Sequence, residues 1–231
     1  MTIHSSVILG TDVEVGEYAV IEMGVRLGDR VRVGSHVVIK EGTVIGNDVE
    51  IGDHVILGKR PGSNKKMARK PSNDLGPLTI DSEVTIGSHV TLYTGLSVAE
   101  GVFIGDHVSI REQVFIDKLT IIGRHAMIEP NTRIGKGVTI QTGCYVTADT
   151  TVEDSVFIGP CCSMSNDKYM ASGKGTHTGP YIKQNAKIGN HATLLPAITI
   201  GENAIIGAGA VVTKDVPDGV ISYGNPSKAK T

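Results

Sequence analysis

The sequence predicts an all-β protein, a parallel β-helix of about ten triangular coils, and three observations support this. An aliphatic residue recurs at every sixth position through residues 3–57, 80–164 and 182–212, which gives 31 sites without one polar residue. A second, smaller inward residue follows four positions after such a site, as at Val37 and Ala186. Only 4% of the residues are aromatic and none is Trp, which indicates a narrow core of small aliphatic side chains.

A period of six fits neither an amphipathic helix nor an isolated alternating strand. It fits a short strand and a tight corner, so that three such units close one coil of 18 residues. Successive coils would stack as parallel strands about 4.8 Å apart, and each coil would be stabilised mainly by its neighbours. Gly follows the leading aliphatic residue at many corners, as at Gly28 and Gly123. We expect it to relieve the backbone at a sharp turn or a positive φ angle.

Two interruptions and a tail organise the chain. The predicted β-helix domain spans residues 1–215 and contains loop insertions at 59–77 and 165–180. Residues 216–231 form a predicted C-terminal tail that folds back over the last coils. The second insertion replaces one coil and returns in phase, and long loops on a rigid scaffold commonly carry function.

The first insertion is strongly basic. It contains six basic residues and only one acidic residue, Asp74. It is either a solvated loop or a basic arm that reaches the phosphates of a ligand or of a neighbouring subunit. The basic residues are Lys59, Arg60, Lys65, Lys66, Arg69 and Lys70.

Charge and composition narrow the function classes. A net charge of −2 and a pI near 6.4 argue against a dedicated nucleic-acid binder. The sequence has no apolar run approaching the roughly 18 residues that span a bilayer, and its N-terminus does not resemble a signal peptide. Three cysteines are too few for a disulfide framework, so we expect a cytoplasmic protein. We expect Cys144 and Cys162, at inward sites, to be core residues.

The pattern [LIV]-G-x-x-[VAT]-x resembles that of the hexapeptide-repeat, or left-handed β-helix, family over about residues 3–215. The left-handed sense is implied by this resemblance. Residues 153–226 resemble the coenzyme-A-dependent acyltransferase branch, through the loop Ser165-Asn166-Asp167-Lys168-Tyr169 and the segment GAGAVVTKDVP. They are most similar to N-acetyltransferases of nucleotide-linked amino sugars, whose loop reads T-N-D-x-Y-P. Ser165 and Met170 depart from that pattern.

The resemblance implies a homotrimer with acetyl-CoA as the acyl-donor cosubstrate, bound in a groove between neighbouring β-helices. It implies a nucleotide-linked amino sugar as acceptor and a role in surface polysaccharide biosynthesis, with neither metal nor membrane insertion expected. By family correspondence, the candidate coenzyme A contacts are Asn190, Ala208, Thr213 and Lys214, and Ala210 belongs to the small-residue run against which the pantetheine arm would lie.

The second insertion contains the candidate catalytic residues. Many O-acetyltransferases of this fold carry a catalytic His where this chain has Asn166 and Asp167, which favours an amine acceptor. Asp167 would orient the amine or accept its proton, Asn166 would hold the sugar or the thioester carbonyl, and His177 is the reserve base. Turn formation is the alternative role of the Asn-Asp pair. Candidate substrate-binding residues, on preceding coils, are Glu129, Asn131, Gln141, Tyr145 and Asp149.

Three other functions stay open on the sequence alone. The first is O-acetylation of a sugar or another small acceptor. The second is a zinc enzyme like the gamma-class carbonic anhydrases, which share this architecture, because six of the eight histidines occupy the same corner position. The third is a non-catalytic trimeric module, against which the GAGAVVTKDVP segment argues. The six histidines are His36, His54, His89, His107, His125 and His191.

Overall fold

The structure, a computed structural model, describes residues 1–67 and 70–230. Arg69 of the predicted basic arm and Thr231 of the predicted tail lie outside the described residues. The described residues form 33 short β-strands and no helix. Most strands have only two residues, because the chain turns a corner after every inward-facing aliphatic residue.

In chain order the strands are β1 (Thr2–Ile3), β2 (Ile8–Leu9), β3 (Glu14–Val15), β4 (Val20–Ile21), β5 (Arg26–Leu27), β6 (Arg32–Val33), β7 (Val38–Ile39), β8 (Val44–Ile45), β9 (Glu50–Ile51), β10 (Ile56–Lys59), β11 (Thr79–Ile80), β12 (Thr85–Ile86), β13 (Thr91–Tyr93), β14 (Ser97–Val98), β15 (Phe103–Ile104), β16 (Ser109–Ile110), β17 (Phe115–Ile116), β18 (Ile121–Ile122), β19 (Met127–Ile128), β20 (Arg133–Ile134), β21 (Thr139–Ile140), β22 (Tyr145–Val146), β23 (Thr151–Val152), β24 (Phe157–Ile158), β25 (Ser163–Met164), β26 (Tyr181–Ile182), β27 (Lys187–Ile188), β28 (Thr193–Leu194), β29 (Thr199–Ile200), β30 (Ile205–Ile206), β31 (Val211–Val212), β32 (Ile221–Tyr223) and β33 (Lys228–Ala229).

The strands form three sheets, because each coil contributes one strand to each side. Sheet A has 11 strands beginning with β1, sheet B has 10 beginning with β2, and sheet C has 12 beginning with β3. Neighbouring strands are parallel and in an 18-residue register, so that Ile110 pairs with Ile128. The predicted parallel β-helix is confirmed. The sheets hold slightly more strands than ten coils require, partly because β32 and the antiparallel β33 extend sheet C.

Both predicted inward positions are buried in one continuous core. Leading aliphatic residues such as Ile128 and smaller residues such as Ala126 are fully buried. Cys144 and Cys162 belong to the same core, as predicted. Their thiols donate to carbonyl oxygens at Gly159 (3.1 Å) and Gly189 (3.0 Å). Each coil fills the core with about six small or aliphatic inward side chains, such as Val108, Ile110, Val114 and Ile116, which leaves little room for aromatic rings.

The glycines after the leading aliphatic residues act differently from the prediction. Gly28 and Gly123 do not have positive φ angles; the positive φ comes two residues later, as at His125 (φ 58°). These glycines are needed because the next coil lies against them. A Cβ on Gly123 would lie 2.6 Å from the carbonyl carbon of Gln141 and 2.6 Å from the amide nitrogen of Thr142.

We therefore expect Gly123→Ala to lower the free energy of unfolding by about 2 kcal/mol, because the added methyl group forces two stacked backbones apart. Thermal unfolding followed by circular dichroism measures this loss. Arg124→Ala, on the exposed position of the same corner, is the matched control and should change stability little. Equal stability of the two variants would contradict the close-approach explanation.

The three sheets meet at three long edges, which we name by the sheets that they join. At edge CA the rings of Tyr18 and five histidines stack with centroids 4.7–4.9 Å apart. Each ring follows the one before by one coil, which produces this spacing. Within residues 1–67 and 70–230 there is no group of three or more His, Cys, Asp or Glu side chains that could hold a metal ion. The stacked histidines are His36, His54, His89, His107 and His125.

Both insertions leave the β-helix at edge AB. The first connects β10 of sheet A to β11 of sheet B, and the second connects β25 of sheet A to β26 of sheet B. Five coils separate β10 from β25, which places the two loops about 24 Å apart at their roots. The corners between them form a strip of mostly half-buried turns that is bounded at both ends.

Candidate functional site

A cleft of about 240 Å³ lies on edge AB between the two insertions. The first insertion forms one wall with residues that include Lys70 and Pro71, and the second forms the opposite wall with Asn166 and His177. The floor consists of corners from the coils between them. The floor residues are Arg111, Glu112, Gln113, Glu129, Pro130, Asn131, Tyr145, Thr147 and Ala148.

The first insertion is fixed to the β-helix at both ends by one residue. The Thr94 amide donates to the Lys59 carbonyl (3.0 Å), and the Thr94 hydroxyl donates to the Gly76 carbonyl (2.8 Å). Leu75 packs over the same corner, where a Cβ on Gly95 would lie 3.5 Å from its side chain. The insertion therefore starts and ends above the same corner and reaches along edge AB.

The second insertion is closed at its base. The Thr178 amide donates to the Asn166 carbonyl (3.0 Å), and the Ala197 amide donates to the Thr178 carbonyl (3.0 Å). These bonds join the two ends of the loop and fix them to the following coil. As a result Asn166 and His177, eleven positions apart in sequence, line the same cleft.

Asp167 organises a turn within this loop. Its Oδ1 accepts from the Tyr169 amide (2.8 Å), and its Oδ2 accepts from the Ala171 amide (2.5 Å). These backbone hydrogen bonds hold the pKa of Asp167 below its ordinary value. The carboxylate is therefore ionised but weakly basic. The turn role that the sequence left open for Asp167 is present in the structure.

His177 is the more suitable base in this wall. Its Nε2 lies 3.9 Å from Oδ2 of Asp167, and its side chain is 37% exposed. At that distance the two groups do not form a hydrogen bond, but the carboxylate can form an ion pair with the imidazolium that would exist once His177 has accepted a proton. The pair resembles a base and its orienting group, with the imidazole rather than the carboxylate lining the cleft.

An ion-pair network forms the floor. The guanidinium of Arg111 donates to Glu112 through Nε (2.8 Å to Oε2) and Nη2 (3.0 Å to Oε1). Glu112 is only 2% exposed, so this bidentate pair compensates a buried charge. Nη1 of Arg111 lies 3.7 Å from Oε2 of Glu129. Arg111 and Glu112 were not predicted as site residues from the sequence. Two adjacent opposite charges at an edge AB corner could have indicated them.

Burial changes the acid–base properties of the floor. It raises the pKa of the half-buried Glu129, against the opposing effect of Arg111, and Glu112 adds to the increase. Burial and the charge of Glu129 also raise the pKa of Tyr145. The floor therefore presents a carboxylate that holds a proton more readily than an exposed Glu, beside a neutral phenol.

The structure brings together most of the predicted substrate-binding residues. Glu129, Asn131 and Tyr145 line the cleft, and the Asn131 amide donates to Asp149 on the next coil (3.2 Å). Gln141 is separate from them, because it lies at edge CA between β21 and β22. Ala148 lines the same cleft.

The predicted coenzyme A contacts divide between two edges. Asn190 and Ala208 are exposed at edge CA, whereas Thr213 and Lys214 are exposed at edge AB after β31. Ala210 is fully buried in the core and can contribute to a ligand site only by packing beneath it. A Cβ on Gly209 would meet nothing within 4 Å, so the backbone beside Ala208 is open to a ligand.

Comparison with known proteins identifies the repeat. A family model described as "Bacterial transferase hexapeptide (six repeats)" matches residues 179–214, and another described as "Hexapeptide repeat of succinyl-transferase" matches residues 24–59. The chain is a hexapeptide-repeat protein. The hexapeptide-repeat identification made from the sequence is confirmed.

The sequence relatives are acetyltransferases that match over part of their length. A galactoside O-acetyltransferase of Lactococcus lactis is 46% identical over 50 residues, which is 22% of this chain and 24% of the relative. The galactoside O-acetyltransferase of Escherichia coli is 34% identical over 84 residues, which is 34% of this chain and 41% of the relative. This hexapeptide-repeat protein thus spans less than half the length of these curated relatives.

Among solved structures, a UDP-N-acetylglucosamine acyltransferase from Bacteroides fragilis has the same fold along the whole chain. The similarity covers 99% of this chain and 71% of the other, with a TM-score of 0.50 and 19% identity. At that identity the similarity concerns the fold alone. Separately, no helix in the described part of the hexapeptide-repeat protein is long and apolar enough to cross a membrane.

Proposed function

We propose that this protein is an acetyl-CoA-dependent N-acetyltransferase that acylates the amino group of a nucleotide-linked amino sugar, as a step in surface polysaccharide biosynthesis. The observation that carries the proposal is the edge AB cleft, which combines a carboxylate floor with a histidine–aspartate wall. The acetyltransferase names of the sequence relatives support acyl transfer. The chemistry below assigns roles to the residues that line the cleft.

The acceptor amine would lie between Glu129 and His177. Glu129 would accept hydrogen bonds from the amine and hold it at the floor, and Asn166 would orient the sugar or the thioester carbonyl. The neutral amine nitrogen attacks the carbonyl carbon of acetyl-CoA, an N–C bond forms, and the C–S bond breaks. His177 takes the proton that the amine loses, Asp167 stabilises the resulting imidazolium, and the imidazolium then gives this proton to the departing thiolate, which leaves as free coenzyme A.

The donor would reach this cleft from a neighbouring copy of the chain in a homotrimer. Asn190 and Ala208 lie on the opposite border of sheet A from the cleft, so one subunit does not gather all the predicted contacts at one edge. Five apolar side chains on sheet C, each 40–45% exposed, share one line across the sheet with Thr139 and Lys187, and they support self-association. The five are Phe103, Ile121, Phe157, Ile205 and Ile221.

Release of the coenzyme A thiol tests the proposed function. The purified protein is mixed with acetyl-CoA and a panel of UDP-, dTDP- and GDP-linked amino sugars, and free thiol is followed with a chromogenic disulfide. We expect thiol release with at least one nucleotide-linked amine and N-acetylated product by mass spectrometry. Absence of release with every amine, together with absence of acetyl-CoA binding, would contradict the proposal.

Replacing Asp167 tests its role as a positioning residue. We expect Asp167→Asn to lower kcat about fivefold while acetyl-CoA affinity stays unchanged, because the neutral side chain no longer favours the imidazolium of His177. A fall in kcat with both KM values unchanged distinguishes this role from a merely structural one, because a displaced loop would also change the acceptor KM. Activity within twofold of the parent at every pH would remove Asp167 from the mechanism.

O-acetylation is the second candidate function. The relatives named above are O-acetyltransferases, and the cleft contains a histidine, His177, that could activate a hydroxyl group. Galactosides and unmodified nucleotide sugars in the same thiol assay distinguish the two functions. Thiol release with a hydroxyl acceptor and with no amine would favour O-acetylation.

A further inference from the structure

We propose that the first insertion, residues 59–67 and 70–77, binds the diphosphate group of the acceptor and thereby makes nucleotide-linked sugars the substrate class. The inference rests on the proposed function for the molecule that bears the diphosphate. It adds a binding site, with Lys70 as its principal cation, that the acyl-transfer chemistry does not itself require.

The charge distribution along edge AB supports this placement. The floor carries Glu112 and Glu129, with Arg111 already committed to Glu112 by two hydrogen bonds. The described part of the insertion carries five basic residues and one acid. An acceptor with an amine at one end and phosphates at the other would match this polarity, with its amine on the acidic floor and its phosphates under the insertion.

The cations of the insertion are available for a ligand. Lys65, Lys66 and Lys70 are exposed and take part in none of the ion pairs that the described residues form. Many other basic side chains of the β-helix are paired, as Lys40 is with Glu22 and Lys118 with Glu100. A group of lysines without ion-pair partners, of which Lys70 lines the cleft, is an electrostatic site for a phosphate group.

The insertion also reaches the cleft in a fixed orientation. Both of its ends are anchored to Thr94, and Lys70, Pro71 and Ser72 form a wall of the same cleft that Asn166 and His177 line. Lys59 lies at its root with Nζ 5.3 Å from the centroid of the Tyr93 ring, whose other cationic neighbour is Arg111 (5.0 Å). The Tyr93 ring thus connects the root of the insertion to the Arg111 corner of the floor.

Calorimetric binding of UDP and dTDP to the full chain tests the site without turnover. We expect Lys70→Gln to weaken binding of at least one of them about tenfold, and the triple variant Lys65→Gln/Lys66→Gln/Lys70→Gln about a hundredfold. Binding by the parent should weaken as NaCl rises from about 0.05 to about 0.5 M. Lys136→Gln, an exposed lysine at edge BC, is the matched control and should leave the affinity unchanged.

Coenzyme A carries a diphosphate of its own, so it is the second arm of the experiment. We expect its affinity to stay within twofold in the Lys70 variants; loss of coenzyme A binding with UDP and dTDP binding intact would overturn the assignment to the acceptor. If the Lys70 variants bind UDP, dTDP and coenzyme A as the parent does, the proposed site is wrong. This holds even if sedimentation shows that the variants have a different association state. If Lys70 controls UDP or dTDP binding but no acetyl transfer occurs, the site stands and the proposed function fails.

Discussion

The variant His177→Gln is expected to retain its fold and its affinity for acetyl-CoA but to lose about a hundredfold in kcat. The imidazole of His177 lines the cleft, and its Nε2 lies 3.9 Å from Oδ2 of Asp167. Glutamine keeps the approximate size and hydrogen-bonding capacity of the side chain while it cannot accept the amine proton. Steady-state thiol release at saturating acceptor measures kcat, and calorimetry measures acetyl-CoA binding.

A control and a rescue make this result specific. His4→Gln changes an exposed histidine at the N-terminal end of the β-helix and should leave kcat unchanged. A higher pH increases the fraction of acceptor amine that is neutral, and this partly compensates for the missing base. The loss of kcat in His177→Gln should therefore become smaller as the pH rises. A defect of constant size across the pH range, or none at all, would assign His177 a role other than proton acceptance.

The variant Glu129→Gln is expected to lower kcat/KM for the acceptor about thirtyfold, because a charge-assisted hydrogen bond to the amine is lost. The loss should reside mainly in the acceptor KM, while the acetyl-CoA KM is unchanged. Glu50→Gln, an exposed carboxylate in sheet C whose partner is Arg32, is the matched control. An equal loss with acceptors that lack the amine would contradict the assignment.

The raised pKa of Glu129 also predicts the direction of a stability change. Burial makes the folded protein hold this proton to a higher pH than the unfolded chain does, so the stabilisation is present at low pH and lost as pH rises through the raised pKa. Glutamine does not ionise, so the Glu129→Gln variant does not lose this stabilisation as the pH rises. Its melting temperature relative to the parent should therefore increase from acidic to neutral pH, while its activity is lower. A constant difference would show that Glu129 does not titrate in this way.

The fold was predictable because a six-residue period fixes which side chains point inward, whatever their contacts. The same period assigns residues to edges, since two corners lie at the same edge only when they are separated by a multiple of 18 residues along uninterrupted coils. Glu129 and Thr147 satisfy that rule, whereas Gln141 does not lie in register with Glu129 or Asn131. Its separation from the cleft was therefore available from the sequence.

Other features of the structure depend on atomic positions that the spacing of residues in the sequence does not determine. The close approach of the next coil to Gly123 is a distance between backbones, and the bidentate Arg111–Glu112 pair depends on side-chain conformation at one corner. The first insertion has no repeat, so its basic composition was evident but its position against the cleft was not. Asp167 was open to two roles because a carboxylate that closes a turn and one that serves as base look identical in sequence.

A crystal structure of the protein with coenzyme A and a nucleotide-linked amino sugar tests the central claim most directly, that edge AB between the two insertions is the acceptor site. The account predicts the amine within hydrogen-bond distance of Glu129 and His177, with the diphosphate beside Lys70. An acceptor bound at edge CA, at edge BC or along the exposed face of a sheet would contradict it.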